Sequence, residues 1–411
     1  MIAPFIPFTL ILVFSVIFFI FLYKSPERVF LCLILYFAFK SSTLFNINLA
    51  VNVMGFNIFL EDLISIFLAV ELFLSLFNRN LSENIITSKY RILGKTYLLM
   101  SIIGVITWAY SEGIQTSVVN WRENLFSSLL ILYCFSLNNW ISYEVFSSVL
   151  YRGSLFLSLL ILIRVLVHGI GNFSQVSSVN GVTDRATNAS GALFLLLALW
   201  NFLLQMKTIN LVNLLYICVL VTEILILQHR SVWLASIVGI CYSGLKLNSV
   251  KLRIRMALLV SFLTPIIWYL LRSLSNLSAA STDSGTLTWR ILRWQQSLGQ
   301  SRSEVQILFG EVTGYIDRIS VAGLTVAAHN MYISLFEKFG ILGVIVYLVI
   351  LIPDKVKFKD FDKLKNLDLV CSISLFFFGL FYSFPYIAVL ILFTIRRIRS
   401  EFKWKLNNAR F

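Results

Sequence analysis

The sequence predicts an all-α protein, a polytopic bundle of about twelve or thirteen transmembrane helices with one large extracytoplasmic loop. Hydrophobic residues make up 58% of the chain and charged residues only 13%, against roughly 45–50% and about 25% in soluble domains. Apolar runs such as Phe5–Tyr23 have the length of a helix that crosses ~30 Å of hydrocarbon. Membrane-barrel strands would instead alternate apolar and polar residues, so a helical bundle is the expected fold.

The candidate spans share an unbroken apolar character. In chain order they are Phe5–Tyr23, Val29–Leu44, Ile58–Phe77, Ile92–Tyr110, Arg122–Leu137, Tyr143–Val167, Ser190–Met206, Leu211–Leu227, Val232–Leu247, Met256–Leu271, Met331–Ile352 and Leu367–Phe393. The last run is too long for one untilted helix and is interrupted at Ser383-Phe384-Pro385, which predicts two helices joined by a turn.

Blocks of Lys and Arg predict the orientation, because such residues are retained on the cytoplasmic side. The blocks are Arg79 to Lys95, Lys246 to Arg255, Lys355 to Lys365 and Arg396 to Lys405. The last two blocks share a side only if the final apolar run crosses twice, as its central proline suggests. A strict count then places the N-terminus outside, and merging one span places it inside.

The chain divides into three segments around its one long polar stretch. Residues 1–271 form N-terminal transmembrane helices, residues 272–330 form the outer loop, and residues 331–411 form the C-terminal helices with a basic cytoplasmic tail. Within the loop, Leu287, Ile291, Trp294 and Leu298 recur at helical spacing and Gly299 follows. This pattern predicts an amphipathic helix at the membrane interface.

Several arginines fall on the predicted outer side, against the usual charge distribution of membrane proteins. They are Arg122, Arg164, Arg185, Arg230, Arg290 and Arg293, at or near the outer ends of helices or in outer loops, and the last four are the candidate site residues. Each could be an interfacial anchor whose charged head reaches water. Together they would form a phosphate site, because guanidinium groups bind phosphate oxygens through two parallel hydrogen bonds.

His329 and Glu223 are the other candidate site residues. His329 lies where the loop meets the next helix, and histidine is the side chain best suited to accept a proton near neutral pH. A cap at a helix start is the plainer interpretation. Glu223 is a carboxylate within an apolar run, and such groups usually face a bundle interior. It would either position an arginine or form a structural ion pair.

The sequence contains no P-loop, no Gly-rich dinucleotide motif and no paired-cysteine metal motif. We therefore expect no cofactor, no metal and no nucleic-acid partner. An enzyme without nucleotide-binding machinery must take a substrate that is already activated.

Three pieces resemble the O-antigen polymerase and O-antigen ligase superfamily. They are His229-Arg230-Ser231-Val232-Trp233, Thr288-Trp289-Arg290-Ile291-Leu292-Arg293, and His329-Asn330-Met331-Tyr332 continuing through Glu337-Lys338-Phe339-Gly340. Their order, side and spacing are similar to those of the family over residues 185–350. A histidine before the arginine of the first piece departs from the family pattern.

The resemblance implies a C-type glycosyltransferase fold in the bacterial inner membrane, with one large periplasmic loop and an active site that faces the periplasm. The implied donor is an undecaprenyl-diphosphate-linked glycan, and no metal or cofactor is needed. Arg230 and Arg290 would hold the diphosphate, with Arg185 and Arg293 nearby. His329 would be the general base. Glu223, Asn330 and Tyr332 are the candidate supporting residues of the site.

Three functions stay open at this point. The first is an O-antigen polymerase that joins repeat units, with membrane lipids as partners and a chain-length regulator as an optional one. The second is an O-antigen ligase with a lipid A-core acceptor. A flippase for lipid-linked oligosaccharides is the third, although transporters usually carry internal repeats and midplane charges.

Overall fold

The structure is a computed structural model. It describes residue 22 and residues 25–42, 50–53, 56–77, 85–136, 141–168, 186–206, 210–227, 229–246, 284–314, 320–321, 324–325, 330–353, 362–382 and 386–408. These residues form thirteen α-helices and two short antiparallel hairpins, which confirms the all-α class. The first predicted span, apart from residue 22, and the run Met256–Leu271 lie outside the described residues.

The helices of the N-terminal part run in sequence as α1 (Pro26–Ser41), α2 (Leu60–Phe77), α3 (Ile85–Glu112), α4 (Ile114–Ser136), α5 (Tyr143–His168), α6 (Ala189–Gln205), α7 (Leu211–Ile226) and α8 (Arg230–Lys246). The loop contributes α9 (Ser284–Gly299), α10 (Glu304–Phe309) and a 3₁₀ turn (Gly310–Thr313). The C-terminal part contains α11 (Met331–Leu351), α12 (Asp362–Gly379) and α13 (Tyr386–Asn408). Hairpins β1–β2 (Ala50–Val53, Phe56–Phe59) and β3–β4 (Ser320–Val321, Leu324–Thr325) complete the structure.

Among the residues that the structure describes, three helices are long and apolar enough to cross a membrane. These stretches are Lys89–Glu112 in α3, Tyr143–Val167 in α5 and Met331–Leu351, which is α11. Helices α6, α7 and part of α8 are apolar but shorter. A membrane protein is therefore indicated, and the full number of crossings stays a prediction.

Helix α6 is the central helix of the bundle. Thirteen of its 17 residues are buried, as expected of a helix that is apolar on every side. It packs against helices from both ends of the chain, including α1, α8, α12 and α13. The N-terminal and C-terminal segments therefore share one core.

The last apolar run forms two helices, as its proline predicts. Helix α12 ends at Gly379 and α13 begins at Tyr386. Asp368, in the first half of α12, pairs with Arg396 at 3.0 Å and also with Arg399, both near the middle of α13. The two helices are therefore antiparallel, and the parts of the last two basic blocks that the structure describes lie at the same end of the bundle.

Helices α9 and α10 lie at the end of the bundle opposite these basic blocks, and we call it the loop end. The indole of Trp108, near the end of α3, donates to Glu311 O of the 3₁₀ turn at 3.1 Å. At the same end, the Thr187 hydroxyl before α6 donates to Ser41 O, the last residue of α1, at 2.6 Å. The chain thus brings helix starts and helix ends together beneath the loop.

Candidate functional site

Three helices start close together at the loop end: α6, α8 and α11. His229, directly before α8, donates from Nε2 to Thr187 O, before α6, at 3.1 Å. Its Nδ1 lies 3.2 Å from the Tyr382 hydroxyl, beyond the end of α12. The Asn330 amide, before α11, donates to Leu380 O in that same segment at 3.0 Å. Backbone N–H groups at helix starts are partially positive, so this arrangement favours an anion.

The hydrogen bonds of His229 define its tautomer. A carbonyl oxygen only accepts, so Nε2 carries the hydrogen directed at Thr187. In the neutral ring Nδ1 is then the acceptor, and the Tyr382 hydroxyl donates to it. His229 is only 2% exposed, so the imidazole connects three chain segments inside the protein.

Arg290 of α9 lies over this cluster. Its guanidinium carbon is 5.8 Å from the centroid of the Tyr382 ring, within the range of a cation–π contact. Its buried Nε has no hydrogen-bond partner among the described residues. A buried donor without a partner requires an explanation, and a bound anion would supply one.

The starts of α8 and α11 carry the two other leading candidates. Arg230 is the first residue of α8, although its side chain lies outside what the structure describes. His329 and Arg185 both lie outside the described residues. Asn330, next to His329, accepts from the backbone N–H groups of Tyr332 and Ile333 and so caps α11.

Arg293 lies in an ion pair rather than in an open site. Its guanidinium is 2.9 Å from the Glu337 carboxylate of α11, and its side chain is 7% exposed. Ser297, one turn further along α9, donates to the same carboxylate. The face of α9 that contacts the bundle is thus polar, whereas Ile291 and Leu298 of the predicted apolar stripe are 40% and 61% exposed.

A second ion pair attaches the 3₁₀ turn to α11. Lys338 Nζ lies 2.7 Å from Glu311 Oε2. The ammonium group also lies 4.6 Å from the ring centroid of Trp108 and 4.8 Å from that of Trp121. The two indoles reduce the exposure of the pair to water, which strengthens it.

Two glycines allow the turn to approach α11 this closely. Gly310 and Gly340 both have φ of +64°, a region that L side chains rarely adopt. A Cβ on Gly340 would lie 2.4 Å from Leu308 C and O, and one on Gly310 would lie 2.6 Å from Glu337 O and Gly340 N. The backbones themselves form the contact, and α11 is kinked there.

Arg302 is a further basic residue at the loop end. Its guanidinium lies over the Phe336 ring at 4.7 Å, and desolvation lowers its pKa although Glu337 and Glu311 oppose that shift. Those two carboxylates pair with Arg293 and Lys338.

The remaining predicted residues have structural partners. The Tyr332 hydroxyl donates to Phe376 O at 2.9 Å, which joins α11 to α12. The Glu223 carboxylate accepts from Ser158 of α5 at 2.6 Å. The described residues therefore place a serine, rather than an arginine, beside Glu223.

The sequence pattern singled out neither Tyr382 nor His229 as a site residue. The one available signal was that His229 directly precedes Arg230 at a predicted helix end. Nothing in the local pattern around Tyr382 distinguishes it from the other aromatic residues of the last apolar run.

No protein-family model and no curated protein matches this chain.

Proposed function

We propose that this chain is a membrane-embedded polymerase that joins undecaprenyl-diphosphate-linked oligosaccharide repeat units at the periplasmic face of the inner membrane. The observation that carries the proposal is the position of Arg290. Its guanidinium, with a buried unsatisfied Nε, lies over Tyr382 beside the starts of α6 and α8. A guanidinium in this position would suit a strongly anionic group bound beside the helices of the membrane bundle.

The chemistry needs such a site. When the glycosidic bond to the lipid diphosphate breaks, negative charge grows on the leaving group. Positive groups fixed in place stabilise that charge without reorganising, and this is usually the main source of an enzyme's rate enhancement. Arg290, Arg230 and the helix starts would hold the diphosphate, and His329 would take the proton from the acceptor hydroxyl. The acceptor oxygen forms the new bond to the anomeric carbon, with inversion, as the bond from that carbon to the diphosphate oxygen breaks. The lipid diphosphate leaves with the bonding electrons, and the acceptor proton passes through His329 to solvent.

An apolar cavity between α3, α4, α11 and α13 supports a lipid-linked donor. Its walls are almost wholly apolar and include Tyr97, Met100, Leu335, Phe339, Val346 and Phe393. On α11 the cavity begins in the turn that also carries Glu337 and Lys338. A polyprenyl tail could occupy it while the diphosphate stays near the basic groups.

The direct test is an initial-rate assay on purified protein with a synthetic lipid-linked repeat unit. We expect wild type to form a ladder of longer lipid-linked glycans, and Arg290→Ala to lower the rate about 10²–10³-fold, as when a charge-stabilising group is removed. Arg28→Ala is the matched control, because Arg28 is exposed and lies at the start of α1, away from the loop end.

The acceptor distinguishes the competing functions. A product formed only when a lipid A-core acceptor is added would make the chain a ligase. The polymerase assignment would fail outright if wild type formed no glycosidic bond with either acceptor while remaining folded. Net movement of the lipid-linked unit across a vesicle bilayer without chemistry would instead favour the flippase.

A further inference from the structure

Tyr382 connects Arg290 to the buried core of the loop end. Its hydroxyl is 3.2 Å from His229 Nδ1. Its ring is stacked on Phe378, one turn earlier, with centroids 5.2 Å apart and planes 20° apart. Phe378 is fully buried. His229 thus holds the phenol at its hydroxyl, and Phe378 holds it along its ring. Arg290 contacts this already restrained ring.

The two arginines of α9 differ in what holds them. Arg293 directs its guanidinium at the Glu337 carboxylate, which neutralises its charge and occupies N–H donors. Arg290 instead lies over a neutral aromatic ring. A ring restrains the plane of the guanidinium but leaves its N–H edge and its full charge for a ligand. Arg290 is therefore the arginine prepared for an anion.

We infer that Tyr382 is a positioning residue: held by His229, it orients the Arg290 guanidinium toward the diphosphate of a polyprenyl-linked donor. The identity of the donor rests on the proposed function, whereas the link from His229 through Tyr382 to Arg290 rests on the contacts alone. In this inference the phenol acts on the donor only through Arg290.

The test is a double-mutant cycle on the affinity for farnesyl diphosphate, measured by titration calorimetry on the full-length protein in detergent. Tyr382→Leu should weaken binding about fivefold to tenfold, the weight of a partly desolvated cation–π contact. Tyr382→Phe keeps the ring but loses the bond to His229, and should weaken binding less. In an Arg290→Gln background, Tyr382→Leu should have no further effect, since residues that act through one another are not additive.

The matched control is Tyr110→Leu, because Tyr110 is 96% exposed near the end of α3. It should leave the affinity unchanged. Equal losses from Tyr382→Leu in both backgrounds would mean a general packing role and would overturn the inference, as would failure of wild type to bind farnesyl diphosphate. Strong coupling in a protein that makes no polymer would retain the inference and remove the proposed function. A protein that forms polymer but shows no coupling between Tyr382 and Arg290 would retain the proposed function and overturn the inference.

Discussion

The Arg293 guanidinium lies 2.9 Å from the Glu337 carboxylate, and this pair holds the loop helix α9 against α11. Arg293→Ala would leave Glu337 in a largely water-excluded site without its cation. We expect a loss of about 3 kcal/mol in the free energy of unfolding, as when one partner of a buried pair is removed. Thermal unfolding of the purified protein in detergent measures it.

The control for that substitution is the double variant Arg293→Met with Glu337→Leu. Replacing both charges with apolar groups of similar size should recover most of the lost stability. An Arg293→Ala protein that unfolds at the wild-type temperature would mean that the pair does not hold α9 in place.

Gly340 is the second test of how the loop is attached. Gly340→Ala adds a Cβ that would lie 2.4 Å from the Leu308 backbone at φ of +64°. We expect α10 to be displaced from α11 and trypsin to cleave after Arg302 at least several-fold faster, since exposed, loosely held segments are cut first. Limited proteolysis followed by mass spectrometry measures the rate.

Gly299→Ala is the matched control, because no atom of the described residues lies within 4 Å of an added Cβ at that position and its φ is ordinary. Equal cleavage rates for the two alanine variants would contradict the close backbone approach at Gly340.

Two helix caps of the same residue type allow a comparison within one protein. Asn330 caps α11 and also donates to Leu380 O at 3.0 Å, whereas Asn210 caps α7 with one bond to the N–H of Asn213 at 2.8 Å. Loss of a cap costs about 1 kcal/mol. Asn330→Ala should cost roughly 1–3 kcal/mol more than Asn210→Ala, because it also leaves a carbonyl unpaired. Unfolding curves of the two variants measure the loss in the free energy of unfolding for each. Equal losses would mean that the bond to Leu380 adds no stability.

Arg230 and His329 are tested by kinetics. If His329 is the general base, His329→Ala should reduce the initial polymerisation rate by about 10²–10⁴-fold with little change in donor affinity. If Arg230 binds the diphosphate, Arg230→Ala should weaken both the rate and the affinity for farnesyl diphosphate. His168→Ala is the control histidine. A His329→Ala protein with a normal rate would leave the proposed reaction without its base.

Local features of the sequence determined the helical class and several boundaries. Apolar runs of membrane length predict helices because lipid leaves the backbone no other way to pair its polar groups. Pro385 predicts the break between α12 and α13, and the helix spacing before Gly299 predicts α9 and its end. Each of these depends on residues a few positions apart, so a pattern can reveal it.

Only the tertiary structure decided which side chains meet. His229 and Tyr382 are 153 residues apart, and Arg293 and Glu337 are 44 apart. Their contacts depend on how α8, α9, α11 and α12 pack, which no local spacing encodes. The same packing turned the polar face of α9 inward and gave one arginine a carboxylate and its neighbour an aromatic ring. The division of roles between Arg293 and Arg290 therefore comes from long-range packing, because an arginine's chemistry is set by its partner and not by its place in the chain.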